Sequence, residues 1–573
     1  MIKVPAIGPL NAKMMIIGEA PGAEEEKQGI PFIGGSGRIG DGILLEAGIT
    51  REEIYITNLC KFRPPNNDLW RFFVPNSQAI AAKQPNLRGL FPSSLIYDSL
   101  QELYEEIEKV KPNVILAYGN YALWALTNCC GVTIDKKKSP DHYTPTGIMK
   151  WRGSELMYDP VLPNIKCKVI PALHPAFVMR NWEWRKATIR DVERAIENKD
   201  FHNSRQPHYN FLVRPSYEQC MDTLGMLWNK VQSGPTLLLP DIETRAKHIA
   251  CLGIAWSKLD AVCIPFMCTE RLSYWREEEE VNIVKQLYRI LKHPNAICVG
   301  QNFMYDLQYF ARRWGFIIKM YSDTMYTQHV MFPGTPKGLD YLASIYNDFY
   351  IYWKDEGKEW DSSIPEEEYW TYNCKDAINT FEIHEKQMQA IDAYGMREQW
   401  QYMIDLIEPV LFMMIRGVLR DEHEKLVQHG KLLALEKERE DYFKRALNGI
   451  SLAKSRTAKP WYRSPKQQAK LFYDYLKLPV QYHRKTGKPT MDDQGIDALI
   501  RISPVFSPLL TRIQEYRSVE VFKANFIETE LDRDNRWRCL YKIAGPETFR
   551  FASEADVFGF GTNLQNISAG TEE

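Results

Sequence analysis

Apolar and polar positions along the chain fall into three regimes. Between residue 14 and about residue 195, short apolar runs alternate with longer amphipathic stretches. MMIIG, EIYITN, NVILAYG and CKVIPAL read as buried strands, and segments such as RIGDGILLEAG between them read as helices. That alternation argues for a mostly parallel α/β sheet. A polar stretch, ENKDFHNSRQPHYN (197–210), reads as a linker. TLLLPDIE, ACLGIAWS and AVCIPFM then form a strand-rich block, followed by mixed strand and helix to about residue 390, and from about 395 the pattern is helical and charged. The expectation is an α/β multidomain chain with domains at 1–196, 211–395 and 396–573.

Length agrees, since 573 residues exceed what one ordinary core accommodates. A hydrophobic share of 45% with 25% charged residues excludes a disordered chain. The longest apolar runs are far too short to span a bilayer, and Met1-Ile2-Lys3 opens no secretory signal, so a cytoplasmic location without a membrane partner is expected. Eleven scattered cysteines without a CxxC pair fit reduced thiols and give no structural zinc site. The net charge of −1 hides a local concentration: Lys454 to Lys488 holds ten Lys or Arg and one acid, Asp474, interleaved with Trp461, Tyr462, Phe472, Tyr473, Tyr475 and Tyr482. Such interleaving suits contact with a phosphate backbone, with Lys454, Arg456, Lys459, Arg463 and Lys466 as candidate contacts. A solvated helix face reads equally well from composition alone.

Candidate chemistry is densest between residues 241 and 376. LLLPDIET sets Asp241 and Glu243 two apart on a strand, hence on one face. VGQNFMYDLQYF runs from a buried strand into a helix that carries Asp306 near its start. WTYNCKDAINTFEIHEK reads as helical, with Tyr372 and Asp376 four apart on one surface. Four carboxylates in one place repel unless cations neutralise them, and hard oxygen donors suit Mg²⁺ or Mn²⁺. Two such ions can activate water against a phosphodiester, and an adjacent tyrosine can orient that water. Each acid alone reads as an ordinary cap or loop residue.

In this order the motifs DIE, NFMYD and YNCKD resemble those of the DEDD-type 3′–5′ exonucleases with tyrosine in the third motif, and SDTMYTQHVMFPGTPKGLDYLASIY resembles the proofreading domain of bacterial DNA polymerase I. The resemblance implies an RNase H-like α/β domain with Asp241, Glu243, Asp306 and Asp376 as metal ligands and Tyr372 as a catalytic residue. Pro240, just before Asp241, removes one backbone donor from the strand.

In the first domain, Gly35-x-Gly37-x-x-Gly40 formally matches a dinucleotide loop, but the preceding strand is poor and no acid lies at the spacing a ribose needs. The alternative is convergence at the carboxyl edge of the sheet, where GEAPG, YITN and VIPALHP end apolar strands with Glu19, Asn58 and His174, and Phe32 offers a stacking surface. GEAPG, GIPFIGGSG, YITNLCKFRPP, ILAYGNYA and PALHPAFVMRN resemble, in order, family 4 of the uracil-DNA glycosylase superfamily. That resemblance implies uracil bound by Phe32 and Asn58, water placed by Glu19, and charge on the departing base stabilised by His174. Family 4 enzymes usually hold an iron–sulfur cluster. Here Phe62 stands in KFRPP where a ligand cysteine is expected, so no cluster is expected.

After residue 395, LIEPVLFMMIRGVLRD, SPKQQAKLFYDYLKLPV, KPTMDDQGIDALI and EYRSVEVFKANFIE resemble the thumb and adjoining palm of family A DNA polymerases. KIAGPETFRFAS and TNLQNIS continue the series, with Arg550 in the place of an arginine near the primer terminus. A mainly helical thumb with an incomplete palm is implied, because the family's palm aspartates and fingers lysine follow the last of these motifs. The leading expectation is the N-terminal part of a split family A replicative polymerase, plausible for a bacteriophage and so for a host cytoplasm. It would act on single-stranded 3′ ends and primer–template DNA, with palm and fingers on a second polypeptide. A DNA-binding accessory subunit with vestigial sites and an artificial truncation are the alternatives.

Overall fold

The computed structural model describes residues 1–134, 141, 143–159, 167–268, 272–357, 365–447, 460–484 and 486–566. The chain forms two compact units, Met1–Asp405 and Leu406–Glu573. No helix among the described residues is long and apolar enough to cross a membrane. None of the eleven cysteines forms a disulfide.

The first unit contains two sheets. One is built from β1 (Met14–Gly18), β2 (Tyr55–Asn58), β3 (Val114–Tyr118), β4 (Leu156–Met157) and β5 (Lys168–Ala172), in the order β2-β1-β3-β5-β4. The four longer strands run parallel, and β4 pairs antiparallel at one edge. Every residue of β1, β2, β3 and β5 is buried, as a parallel sheet covered on both faces requires. Helices α1 (Gly34–Glu46) and α2 (Arg185–Asn198) are among its covers. The formal GxGxxG thus lies inside α1, not in a phosphate loop. Gly37 faces the backbone of Phe32, and a β-carbon there would collide with the Phe32 carbonyl, so this glycine serves close packing.

The second sheet comprises β6 (Asn210–Leu212), β7 (Thr236–Arg245), β8 (His248–Ala255), β9 (Asp260–Pro265), β10 (Ala296–Gly300) and β11 (Met320–Asp323), in the order β11-β10-β7-β8-β9-β6. The β7-β8-β9 meander is antiparallel, while β10 and β11 join in parallel through helical crossovers. Asp241 and Glu243 therefore lie within a ten-residue central strand and not at a strand end. Pro240 is tolerated there because the ladder with β10 stops at Leu238, two residues earlier. Helix α3 (Met304–Tyr309) follows β10, and α4 (Leu339–Tyr346) precedes α5 (Glu366–Ala393), which lies across β7, β8 and β9. Glu366, Glu367 and Glu368 in the first turn of α5 favour a helix start at that point. The unit continues through α6 (Arg397–Asp405), whose Trp400 donates to Thr327 and packs edge-on against Tyr321.

The second unit is mostly helical. Phe443 of α7 (Glu422–Ala446) and Leu510, Ile513 and Tyr516 of α8 (Ser507–Phe522) share a core with Tyr462, Phe472 and Tyr473. Two short antiparallel pairs, Val418–Leu419 with Arg536–Trp537 and Cys539–Lys542 with Ala552–Ala555, complete it.

Candidate active sites

Parallel register brings the ends of β1, β2, β3 and β5 to one edge: Gly18 lies opposite Asn58, and Tyr118 opposite Ala172. Glu19, Asn58 and His174 meet there with Phe32. Gly18 is the floor of this arrangement, since a β-carbon on it would strike both the Phe32 ring and Asn58 Oδ1. The Phe32 ring stacks on His174 with centroids 5.8 Å apart and lies 5.9 Å from that of Tyr118. Phe32 has φ +54°, a left-handed backbone that a bulky residue seldom adopts unless its surroundings impose it. Two side chains impose it. Arg51 donates to the carbonyls of Phe32 and Pro31, both at 2.7 Å, and Glu25 accepts from the Phe32 N–H. Neither Arg51 nor Glu25 carried a sequence signal, because each acts on backbone brought close by folding.

Burial pushes the Glu19 carboxyl up to about 7, against the hydrogen bond its Oε1 accepts from Tyr121 N–H at 3.2 Å. Burial likewise drives His174 down to about 4, so its imidazole is neutral near pH 7. Its Nδ1 accepts from Ala176 N–H at 3.1 Å, which leaves the proton on Nε2. The edge thus offers a carboxyl titrating near neutrality, a neutral imidazole donor, an amide and an aromatic face.

The second constellation stands on β7, α3 and α5. Oxygen atoms of Asp241, Glu243 and Asp376 lie within 4.8 Å of one another. Asp306 stands beside them, its Oδ1 accepting from Ile242 N–H at 2.9 Å. Burial first, and then neighbouring carboxylates, raise Asp241 to about 8 and hold Glu243 and Asp306 well above the ordinary carboxyl range. Several carboxyl groups gathered as hard oxygen donors, with one ammonium among them, fit a divalent cation.

Several partners of these acids were not legible in the sequence. Asn373 Nδ2 donates to Asp241 Oδ2 at 2.8 Å, and Tyr369 hydroxyl to Glu243 at 3.4 Å. Asp376 is held from outside its helix: Trp353 Nε1 donates to Oδ1 and Lys354 Nζ to Oδ2, each at 2.6 Å. Lys354 also donates to the Tyr372 hydroxyl at 3.0 Å, so Tyr372 and Asp376 share one ammonium. Asn373 could have been flagged from its place inside YNCKD, whereas Trp353 and Lys354 reach the site from a loop whose sequence shows no periodicity.

Against these geometries, a family model described as the uracil DNA glycosylase superfamily matches residues 5–196. The type-4 uracil-DNA glycosylase of Thermotoga maritima is 33% identical over 190 residues, covering 33% of this chain and 78% of that protein. The chain belongs to the uracil-DNA glycosylase superfamily. Its glycosylase domain is followed by a match at residues 253–392 to a model described as 3′-5′ exonuclease. Asp306, Tyr372 and Asp376 fall within that range, and Asp241 and Glu243 precede it. DNA polymerase I of Pseudomonas aeruginosa is 24% identical over 432 residues, 70% of this chain and 43% of that protein, so the chain spans less than half of that polymerase. Among solved structures, the POL domain of Pol1 from M. smegmatis in complex with DNA primer-template and dNTP is similar at a TM-score of 0.46 and 16% identity, over 63% of this chain and 56% of that one. The chain thus joins a glycosylase domain to a family A polymerase-like exonuclease domain.

In the second unit one residue of the basic segment, Arg463, departs from its expected role. Lys454, Arg456 and Lys459 lie outside the described residues. Arg463 is engaged internally, donating to Glu436 at 2.5 Å and to the Tyr516 hydroxyl at 2.6 Å. Tyr462, Phe472 and Tyr473 are core residues, and only Tyr475 and Tyr482 of the interleaved aromatics are strongly exposed. The acids that answer Arg463 come from α7 and α8. Lys466 and Arg550 are exposed.

Proposed function

We propose that the chain removes nucleotides from DNA 3′ ends through Asp241, Glu243, Asp306 and Asp376, and that its glycosylase domain excises uracil, as parts of a replicative family A polymerase system. The observation that carries the first half is the convergence of Asp241, Glu243 and Asp376 beside Tyr372. Asp241, Glu243 and Asp376 would hold the divalent cation, Mg²⁺ or Mn²⁺, with Asp306 beside them. When bound, the cation supplies charge neutralisation at the phosphodiester and acidifies bound water. The protein's own part is positional. Asn373 fixes the Asp241 carboxylate, Trp353 and Lys354 fix that of Asp376, and the Tyr372 hydroxyl, oriented by Lys354, directs the attacking water. The Lys354 ammonium stays charged: burial opposes its charge, but Asp376, Asp241 and Glu243 outweigh that.

At the glycosylase edge, Phe32 provides the stacking face and Asn58 the amide that reads the base edge. Glu19, once ionised, orients water toward the sugar carbon, while neutral His174 donates Nε2–H to the base oxygen that gathers charge. The second unit holds DNA through exposed cations such as Lys466 and Arg550.

Digestion of 3′-mismatched primers with Mg²⁺ tests the exonuclease half, with Asp241→Ala plus Glu243→Ala abolishing nucleotide release. No cleavage by the intact chain would reject the exonuclease reading and favour a DNA-binding accessory role. Abasic-site formation in uracil-containing single strands tests the glycosylase half.

A further inference from the structure

The segment that reaches Asp376 is built onto the other domain. Residues 350–355 form a strap, and its far side is bonded to the loop 150–155 of the glycosylase domain. The Tyr350 carbonyl accepts from Glu155 N–H at 2.8 Å, and Tyr352 N–H donates to Ser154 Oγ at 3.1 Å. Lys150 pairs with Asp355 and sits over the Tyr352 ring, 4.9 Å from its centroid, while Trp151 packs edge-on against the same ring at 5.4 Å. Ser154 and Glu155 are both buried.

The strap's approach is fixed as well. Arg194 of α2 donates to the carbonyls of Ser344 at 3.0 Å and Asn347 at 2.7 Å, and Arg152 donates to Ser344 Oγ at 2.8 Å. Arg152 is bound through two nitrogens to Asp191, and all three charged residues are buried. A buried charged cluster of this kind costs desolvation, and its best-attested use is to specify one geometry. The consequence lies in the two residues that follow. Trp353 and Lys354, the next strap residues after Tyr352, are the donors that hold both oxygens of Asp376.

We propose that the glycosylase domain is a working part of the exonuclease site: loop 150–155 anchors the strap 350–355, and the strap positions Trp353 and Lys354 on Asp376 and Tyr372. This rests on the exonuclease reading above. Ser154 and Lys150 are on this view positioning residues for a reaction whose acids lie in another domain.

The test is the full chain carrying Ser154→Ala and Lys150→Ala, two changes that remove the strap's polar side-chain anchors without enlarging any side chain. In metal-free protein, hydrogen exchange at the Tyr352–Lys354 amides is expected to quicken at least tenfold. Mn²⁺ affinity, read by electron paramagnetic resonance, is expected within twofold of wild type. Release of the 3′-terminal nucleotide should lose at least tenfold in kcat with KM changed less than threefold. The charge-reversed pair Lys150→Glu with Asp355→Lys, on an intact Ser154, should retain most of kcat, which guards against a trivial folding defect. Unchanged exchange overturns the anchoring, and quickened exchange with kcat within twofold overturns the positioning role. Loss of Mn²⁺ binding together with kcat overturns it too, because the acids themselves would then have collapsed. A wild-type chain that releases no nucleotide overturns the exonuclease reading itself, a result separable from all of these.

Discussion

Asp241 lies directly opposite Gly253 in the antiparallel pair of β7 and β8, and the space where a Gly253 side chain would stand is taken by Asn373. A β-carbon at Gly253 would press on the Asn373 side chain and carbonyl, so the glycine lets α5 approach the sheet closely enough to bond Asp241. Gly253→Ala is expected to cost about 1–3 kcal/mol of stability by overpacking. It should also lower exonuclease kcat at least tenfold, since Asp241 loses its amide partner. Denaturant unfolding and single-strand digestion of one preparation check both, and an unchanged kcat would dismiss the role of Asn373.

Cation binding at the carboxylate cluster should release protons. Asp241, raised to about 8, is largely protonated at pH 7, and Glu243 and Asp306 are shifted the same way. Apparent affinity for Mn²⁺ is therefore expected to climb between pH 6 and about pH 8. Titration calorimetry in buffers of different ionisation enthalpy should report at least one proton released per ion.

The same shift sets a stability slope in metal-free protein. A carboxyl whose folded pKa exceeds its unfolded value stabilises below the unfolded pKa, and that stabilisation is lost as pH rises through the folded one. For Asp241 the window runs from the ordinary 3.8 to about 8. Tm should fall across it, and Asp241→Asn, which mimics the protonated acid, should flatten the decline.

Uracil excision should accelerate as pH rises through about 7, because Glu19 places water only as a carboxylate. Glu19→Gln is expected to remove that inflection and reduce the rate at least a hundredfold, a typical value for loss of a general base. A rate independent of pH from 6 to 8 would assign the water to another group.

In the second unit, Glu436 is buried and answers both Arg463 and Lys523. Burial opposes its charge, yet Lys523 and Arg463 outweigh that and hold its pKa below the ordinary value. Glu436→Gln leaves Arg463 to Glu440 and Glu520 and Lys523 to Glu528, and is expected to cost about 2 kcal/mol, read as a lower midpoint in denaturant unfolding.

Strands and their order of chemistry were legible because burial imposes a pattern on consecutive residues. MMIIG, NVILAYG and CKVIPAL are nearly continuous apolar runs, as strands covered on both faces require. Asp241 and Glu243 share a face by the twofold repeat of a strand, and Tyr372 and Asp376 by the helical repeat. Part of the basic run misled for a related reason. Interleaved aromatics in one dimension look like a stacking surface, but Tyr462, Phe472 and Tyr473 turn inward and Arg463 meets acids from distant helices.

The sequence by itself determined where the longer strands fall, which acids, amide, histidine and tyrosine are the candidates for chemistry, and which families they resemble. Those features repeat over a few residues and so survive projection onto a line. Only the tertiary structure decided which donors hold them: Arg51 on the strained Phe32 loop, Asn373 through the gap at Gly253, and Trp353 with Lys354 on Asp376. Each of these is a single contact between segments far apart in the chain. A hydrogen bond of that kind needs one polar atom at one place, which leaves no periodicity behind, and it exists only once packing has fixed the distance.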